Sequence, residues 1–219
     1  MSYRYIQMTS TPAVRAARQR YGGAGRYDSE GKAAGAVPST VPDTLGEAEV
    51  AFIEERDGFY LASVSETGWP YVQFRGGPRG FLRVLDNHTL GFADFRGNRQ
   101  YITAGNVAAD DRVSLFLMDY AHRRRLKILG HARVVDATDG SAAAKSLAIP
   151  GYPGRIERSV LLTVEAFDWN CQQHITPRFT EAELASVIAP VQRRLETLQA
   201  ENQQLRRKLA SNVTLRARD

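Results

Sequence analysis

From residue 59 onward, apolar and polar positions alternate in short runs, and the alternation restarts after each turn signal. Phe59–Ser65, Tyr71–Phe74, Phe81–Leu85, Thr89–Phe95, Val113–Met118, Leu126–Val135 and Arg158–Asp168 read as strands. Ser65-Glu66-Thr67-Gly68 and Asp86-Asn87-His88 supply tight turns, because their side chains and glycine favour chain reversal. Only two short helical insertions fit between strands, Asn98–Gly105 and Gly140–Leu147. Six or seven short strands with so few helices imply a mainly β fold, an antiparallel barrel or sandwich rather than a parallel α/β sheet.

The flanks follow other periods. Residues 1–41 form an arm or linker: Pro12–Tyr21 reads as one basic helix with Pro12 in its first turn, and Gly22 to Thr40 is rich in glycine and alanine. Thr44-Leu45-Gly46-Glu47 has capping-box spacing and opens a helix that turns Val50, Ala51, Phe52 and Ile53 inward and stops near Gly58. The strand domain is expected over residues 42–179 and a helical extension over 180–219.

In that extension Thr180 and Glu183 form a second capping box, and Pro190 predicts a break or bend with a new helix starting there. From Val191 the apolar steps alternate between four and three. Leu195, Asn202 and Leu209 take the a positions of a heptad, and Val191, Leu198 and Leu205 the d positions. An Asn at a single a position favours a parallel two-stranded coiled coil, and Glu201 at g matches Arg206 at e of a partner. An amphipathic helix lying on its own barrel is the other reading. The stretch before the heptads, Glu181–Ala189, is acidic or neutral, which argues against a basic-zipper DNA reader.

Composition narrows the function. The 219 residues are 43% hydrophobic and 24% charged, as expected of a globular protein with a sizeable core. The net charge of +5 comes largely from clustered arginines, which favours an anionic ligand without implying nucleic acid. The single cysteine, Cys171, excludes an internal disulfide framework. No apolar run reaches the roughly 20 residues of a membrane span, and no apolar segment follows the first basic residues, so a cytoplasmic location is expected.

Three constellations carry candidate chemistry. Arg83, Asn98, Arg99 and Gln100 converge on a strand end and a helix start, where guanidiniums and amides suit a phosphate dianion; each such bond contributes about 1.5–3 kcal/mol. Solvated surface arginines are the bland alternative. Arg123, Arg125 and Lys127 share one strand face, either meeting an anion or guarding an edge. Trp169 through Arg178 is too polar for a strand; Trp169 offers a flat face, whereas Cys171 and His174 have no assignable acid or base partner. P-loop, GxGxxG and GxSxG signatures are missing, and the four histidines lack metal-ligand spacing, so no metal site is expected.

The order of segments FYLASVSETGWPYVQFRGGPRGFLRVLD, TLGFADFRGNRQYITAGN, DDRVSLFLMDY, RRRLKILGHARVV and EAFDWNCQQHITPRF resembles the pyridoxamine 5′-phosphate oxidase-like flavoproteins. These are FMN-binding split barrels, and the likeness is greatest to their predicted flavin-nucleotide-binding branch; it covers about residues 59–179. The resemblance implies a split β-barrel, an FMN held between the subunits of a homodimer, and oxidoreductase chemistry with a small-molecule substrate or electron donor. Carried over, the family's phosphate-contacting strand lysine falls on Arg83, and its Ser-Arg-Lys motif on Asn98-Arg99-Gln100. The flavin-edge strand falls on Phe92-Ala93-Asp94, an arginine on Arg75, a glutamine beside the flavin on Arg125, and a C-terminal tryptophan on Trp169. The family's substrate-clamping run is replaced by SAAAKSLAIPGYPGR at Ser141–Arg155, and its Trp-x-Gly-x-Arg ending by Trp169-Asn170-Cys171-Gln172. FMN is therefore expected to be kept and the vitamin substrate lost, with no catalytic acid or base named. A non-catalytic flavin-binding or sensing module, and a split barrel using deazaflavin or haem, stay open.

Overall fold

The computed structural model describes residues 3–23, 40–136, 146–169 and 172–216. Its chain forms two units, residues 1–175 and 176–219.

The first unit opens with helices α1 (Tyr3–Thr9) and α2 (Pro12–Arg20). Helix α2 starts where the sequence places it, with Thr11 accepting from the Val14 N–H at 3.3 Å. Arg4 of α1 pairs with Glu165 at 2.7 Å, which fastens α1 to the sheet. Helix α3 (Glu47–Glu54) follows. Its box sits two residues later than expected: Gly46, not Thr44, is the N-cap, and its N–H donates to Glu49 Oε2 at 3.0 Å. Glu49 also accepts from Trp169 Nε1 at 2.6 Å, so tertiary contact selects the register.

Seven strands then build one antiparallel sheet: β1 (Gly58–Val64), β2 (Pro70–Gly76), β3 (Leu82–Asp86), β4 (Thr89–Phe95), β5 (Arg112–Asp119), β6 (Arg124–Asp136) and β7 (Ile156–Trp169). Helix α4 (Ile102–Ala109) lies between β4 and β5. The strand order is β2-β1-β5-β6-β7-β4-β3. The sheet curls strongly, because residues far apart in that order touch: Phe59 of β1 meets Phe92 of β4 edge-to-face at 5.3 Å. This is a split barrel, and its interior holds Phe59, Leu61, Phe81, Phe92, Leu115, Leu126 and Ile128, all buried. Alternation along β5 and β6 sends every second residue inward, as the sequence pattern requires.

Two glycines are dictated by geometry. Gly68 has φ +84° in the β1–β2 turn, where Ser65 closes the hairpin. Gly130 sits at a bulge between β6 and β7, where an added Cβ would lie 2.3 Å from the Thr163 carbonyl oxygen.

The second unit is one helix, α5 (Glu181–Arg216). Its capping box is present, with Glu183 N–H donating to Thr180 Oγ1 and Thr180 N–H to Glu183 Oε2. The expected break at Pro190 is absent. A proline inside a helix removes one N–H donor and can bend the helix without obliging it to end, and α5 continues past Pro190. The helix expected at Gly140–Leu147 lies mostly outside the described residues. None of the described helices is long and apolar enough to cross a membrane.

Candidate functional site

A cavity of about 290 Å³ opens where the curled sheet brings β2 alongside β4. Its walls are Gln73, Phe74 and Arg75 of β2, Phe92 to Phe95 of β4, the turn residues Gly97, Asn98, Arg99 and Tyr101, Thr103 of α4, and Glu157 and Arg158 of β7.

The strand register builds its inner side. Asp94 of β4 lies opposite Arg158 of β7, and the fold of the sheet adds Arg75 from β2. Arg75 Nη1 donates to Asp94 Oδ1 at 2.6 Å, while Arg158 donates to Oδ2 from Nε at 3.0 Å and Nη2 at 2.8 Å. Asp94 is only 5% exposed. Burial by itself would lower the Arg158 pKa; the hydrogen bonds and charge of Asp94, helped by Tyr101 and Glu157, outweigh it and hold the guanidinium above its ordinary value. Arg158 also lies over the Tyr101 ring, 4.5 Å from its centroid. Arg75 Nε is buried with no hydrogen-bond partner among the described residues, an unsatisfied donor.

The outer side is the turn before α4. Helix α4 begins at Ile102, four residues later than the sequence suggested, because Arg99 and Tyr101 adopt left-handed φ values of 61° and 55°. Asn98 Oδ1 accepts from the Gln100 N–H at 3.2 Å, and Asn98 Nδ2 donates to Gln100 Oε1 at 3.3 Å. That local turn competes with helix formation and leaves Arg99 exposed at the pocket edge. Its guanidinium has no ion-pair partner among the described residues.

The nine site residues inferred from sequence therefore divide. Arg75, Ala93, Asp94, Asn98 and Arg99 line the cavity, and Gln100 adjoins it through Asn98. Arg83 lies outside the lining, with Nη2 donating to the Ala148 carbonyl at 3.5 Å. Arg125 and Trp169 are also outside it. Arg125 lies over Phe116, and its Nε is buried without a hydrogen-bond partner among the described residues. Trp169 packs edge-to-face on Phe52 at 4.7 Å beneath Arg124. Asn170 and Cys171 are outside the described residues. Sequence reasoning missed Arg158, Glu157, Gln73 and Thr103. The last two meet at 2.9 Å across 30 positions, a distance in sequence that no local pattern spans. No group of three or more metal-ligating side chains occurs among the described residues.

A family model described as pyridoxamine 5′-phosphate oxidase matches residues 45–165. No match is found among curated proteins. Among solved structures, a putative pyridoxamine 5′-phosphate oxidase from Lactobacillus delbrueckii is 25% identical, with a TM-score of 0.45 over 59% of this chain and 97% of its own. HupZ from Group A Streptococcus is 18% identical, with a TM-score of 0.47 over 62% and 100%. A pyridoxamine 5′-phosphate oxidase-related, FMN binding protein from Nostoc punctiforme is 13% identical, with a TM-score of 0.35 over 52% and 73%.

Proposed function

This chain belongs to the pyridoxamine 5′-phosphate oxidase family, and we propose that it is an FMN-binding oxidoreductase whose cofactor sits in the β2–β4 cavity at a homodimer interface. The observation that carries this reading is a pocket whose donors outnumber their internal acceptors. Arg75, Arg99 and Arg158 bring three positive charges against Asp94 and Glu157, and among the described residues Arg75 Nε has no hydrogen-bond partner and the Arg99 guanidinium no ion-pair partner. A phosphate with carbonyl-bearing rings supplies the missing acceptors, so the residues present fit the group.

Arg99 and the turn at Asn98 and Gln100 would hold the phosphate. Arg75, fixed by Asp94, would donate to ring acceptors beside Phe92 and Ala93. Bound flavin would supply the electron-transfer chemistry, which leaves the protein to bind, orient and exclude water.

Two features support a dimer. A cavity of about 290 Å³ is at the lower end of the range of roughly 300–1,000 Å³ for cofactor sites, so a second wall is needed. The sheet face next to it is apolar and uncovered: Tyr60, Val72 and Phe74 are 39%, 60% and 59% exposed, and Phe74 belongs to the pocket as well. Arg125 and Phe116 continue that face across β5 and β6, because Tyr60 pairs with Phe116 and Met118 with Arg125. Arg125 would thus serve the partner's pocket, whereas Trp169, paired with the interior Leu126, faces the opposite side of the sheet. Pyridoxamine phosphate is not the proposed substrate, because the family's substrate-clamping run is replaced here by Ser141–Arg155.

The test is a visible spectrum of the purified protein after incubation with FMN, paired with its mass in solution. Flavin bands that stay with a dimer are expected. A Val72→Asp variant, which alters the uncovered face and not the pocket, should dissociate and release flavin on dilution. A colourless protein would overturn the cofactor, and flavin retained by a monomer would overturn the interface. Turnover of a reduced nicotinamide or dioxygen no faster than with free flavin would leave a binding module instead of an oxidoreductase.

A further inference from the structure

The continuity of α5 through Pro190 changes what its apolar residues mean. A heptad seam broken at residue 190 would cover fewer than three repeats, which is marginal. The single helix extends the seam backwards in phase, adding Leu184 at d and Ile188 at a to Val191, Leu195, Leu198, Leu205 and Leu209. All seven are exposed, from 43% to 66%, and Pro190 falls at c, off the seam. The row from 184 to 209 runs for about 38 Å at 1.5 Å per residue.

We infer that α5 forms a parallel, two-stranded coiled coil with α5 of a second copy of this chain. Three observations select that occupant over any other apolar surface. The seam keeps a 3.5-residue period, which suits a twisting partner helix rather than a flat sheet. Asn202 occupies an a position in the middle of it. In a parallel, in-register pair, a faces a, so Asn202 meets its own copy and the two amides bond to each other. An antiparallel pair sets a against d and would bury Asn202 on leucine, leaving its amide unpaired. Finally, the g-to-e contacts of the parallel register are free of repulsion: Glu201 faces Arg206 of the second copy, and Arg194 faces Gln199.

The inference is independent of the flavin reading, since it uses no residue of the pocket and stands if no flavin binds. It adds a fastening that the barrel interface does not supply.

Site-specific cross-linking of the full chain tests it. In a Cys171→Ser background, which removes the sole native cysteine, Leu209→Cys places one thiol per chain on the seam. A parallel pair brings the two thiols together, and an interchain disulfide should form in most molecules under mild oxidation. In an antiparallel pair they lie tens of ångströms apart, given the rise of about 1.5 Å per residue. Arg207→Cys at the outward f position is the control and should remain largely uncross-linked. Absence of the 209 disulfide, or equal cross-linking at 207, overturns the proposal and points to a helix docked on its own barrel or on another protein. Asn202→Leu, read by light scattering, should raise the assembly beyond the wild-type mass because the dimer-specifying amide is gone; an unchanged mass removes Asn202 from that role.

Discussion

On the inner side of the pocket Arg75 and Arg158 are both tied to Asp94, whereas on the outer side Arg99 stands exposed without an ion partner among the described residues. The two sides therefore use the same side chain for different ends. Inner arginines neutralise a buried carboxylate and fix the curl of the sheet, joining β2, β4 and β7 at one point. The outer arginine keeps its charge available and is held at the edge by backbone conformation alone. A guanidinium count would rate both sides equally attractive to an anion; the partners decide otherwise.

Removing Asp94 should separate the two roles most strongly. Asp94→Ala leaves Arg75 and Arg158 facing one another, largely buried, with only the 3.5 Å contact of Arg158 to Glu157 to offset their charge, and should lower stability by about 3–5 kcal/mol. Urea denaturation reads that loss. A change below about 1 kcal/mol would mean that the inner arginines find other acceptors, and the contrast between the sides would fail.

Arg99→Ala should do the reverse. It removes no internal contact, so the unfolding midpoint should move by no more than about 0.5 kcal/mol. Affinity for FMN should fall by about 1.5–3 kcal/mol, the usual value of a charge-assisted bond to phosphate. Titration of the flavin fluorescence measures it. Equal affinity would show that Arg99 is a solvated surface charge.

A smaller effect, about 1 kcal/mol in flavin affinity, is expected for Arg125→Ala if it reaches into the partner's pocket. Mixing decides the geometry. A heterodimer of one Arg99→Ala subunit with one Arg125→Ala subunit has one doubly altered site and one intact site. Recovery of tight binding at half the sites supports a shared pocket, and no recovery assigns both residues to one chain.

Much of the fold was legible because strand residues report their burial in the period-two pattern, and each turn carries its own signal in Ser65 to Gly68 or Asp86 to His88. The capping box at Thr180 is equally local. Errors arose where a distant contact or a local competitor overrode a neat pattern. Glu49 rather than Glu47 closes the α3 box because Trp169 engages it, and Asn98 folds its turn onto Gln100 and delays α4 to Ile102. The pocket was half legible. Arg75, Ala93, Asp94, Asn98 and Arg99 carry the family pattern, but Arg158 earns its place only through a cross-strand pairing 64 residues away.

The smallest expected effect falls on the part of the outer side that carries no charge. Where the family's motif has lysine, this chain has Gln100, whose amide oxygen accepts from Asn98 instead of offering a charge. Gln100→Lys should break that one contact and place an ammonium beside Arg99. Gln100 is exposed, so the gain in FMN affinity should be limited to about 0.2–1 kcal/mol. It should also be screened by salt, shrinking as the Debye length falls from about 10 Å at 0.1 M to about 3 Å at 1 M. The inner pairs are largely buried and should respond less to the same salt. If Gln100→Lys tightens binding at low salt only, the outer side is where phosphate is held. If it weakens binding at every salt concentration, the Asn98–Gln100 turn itself shapes the site, and this chain has replaced charge with conformation.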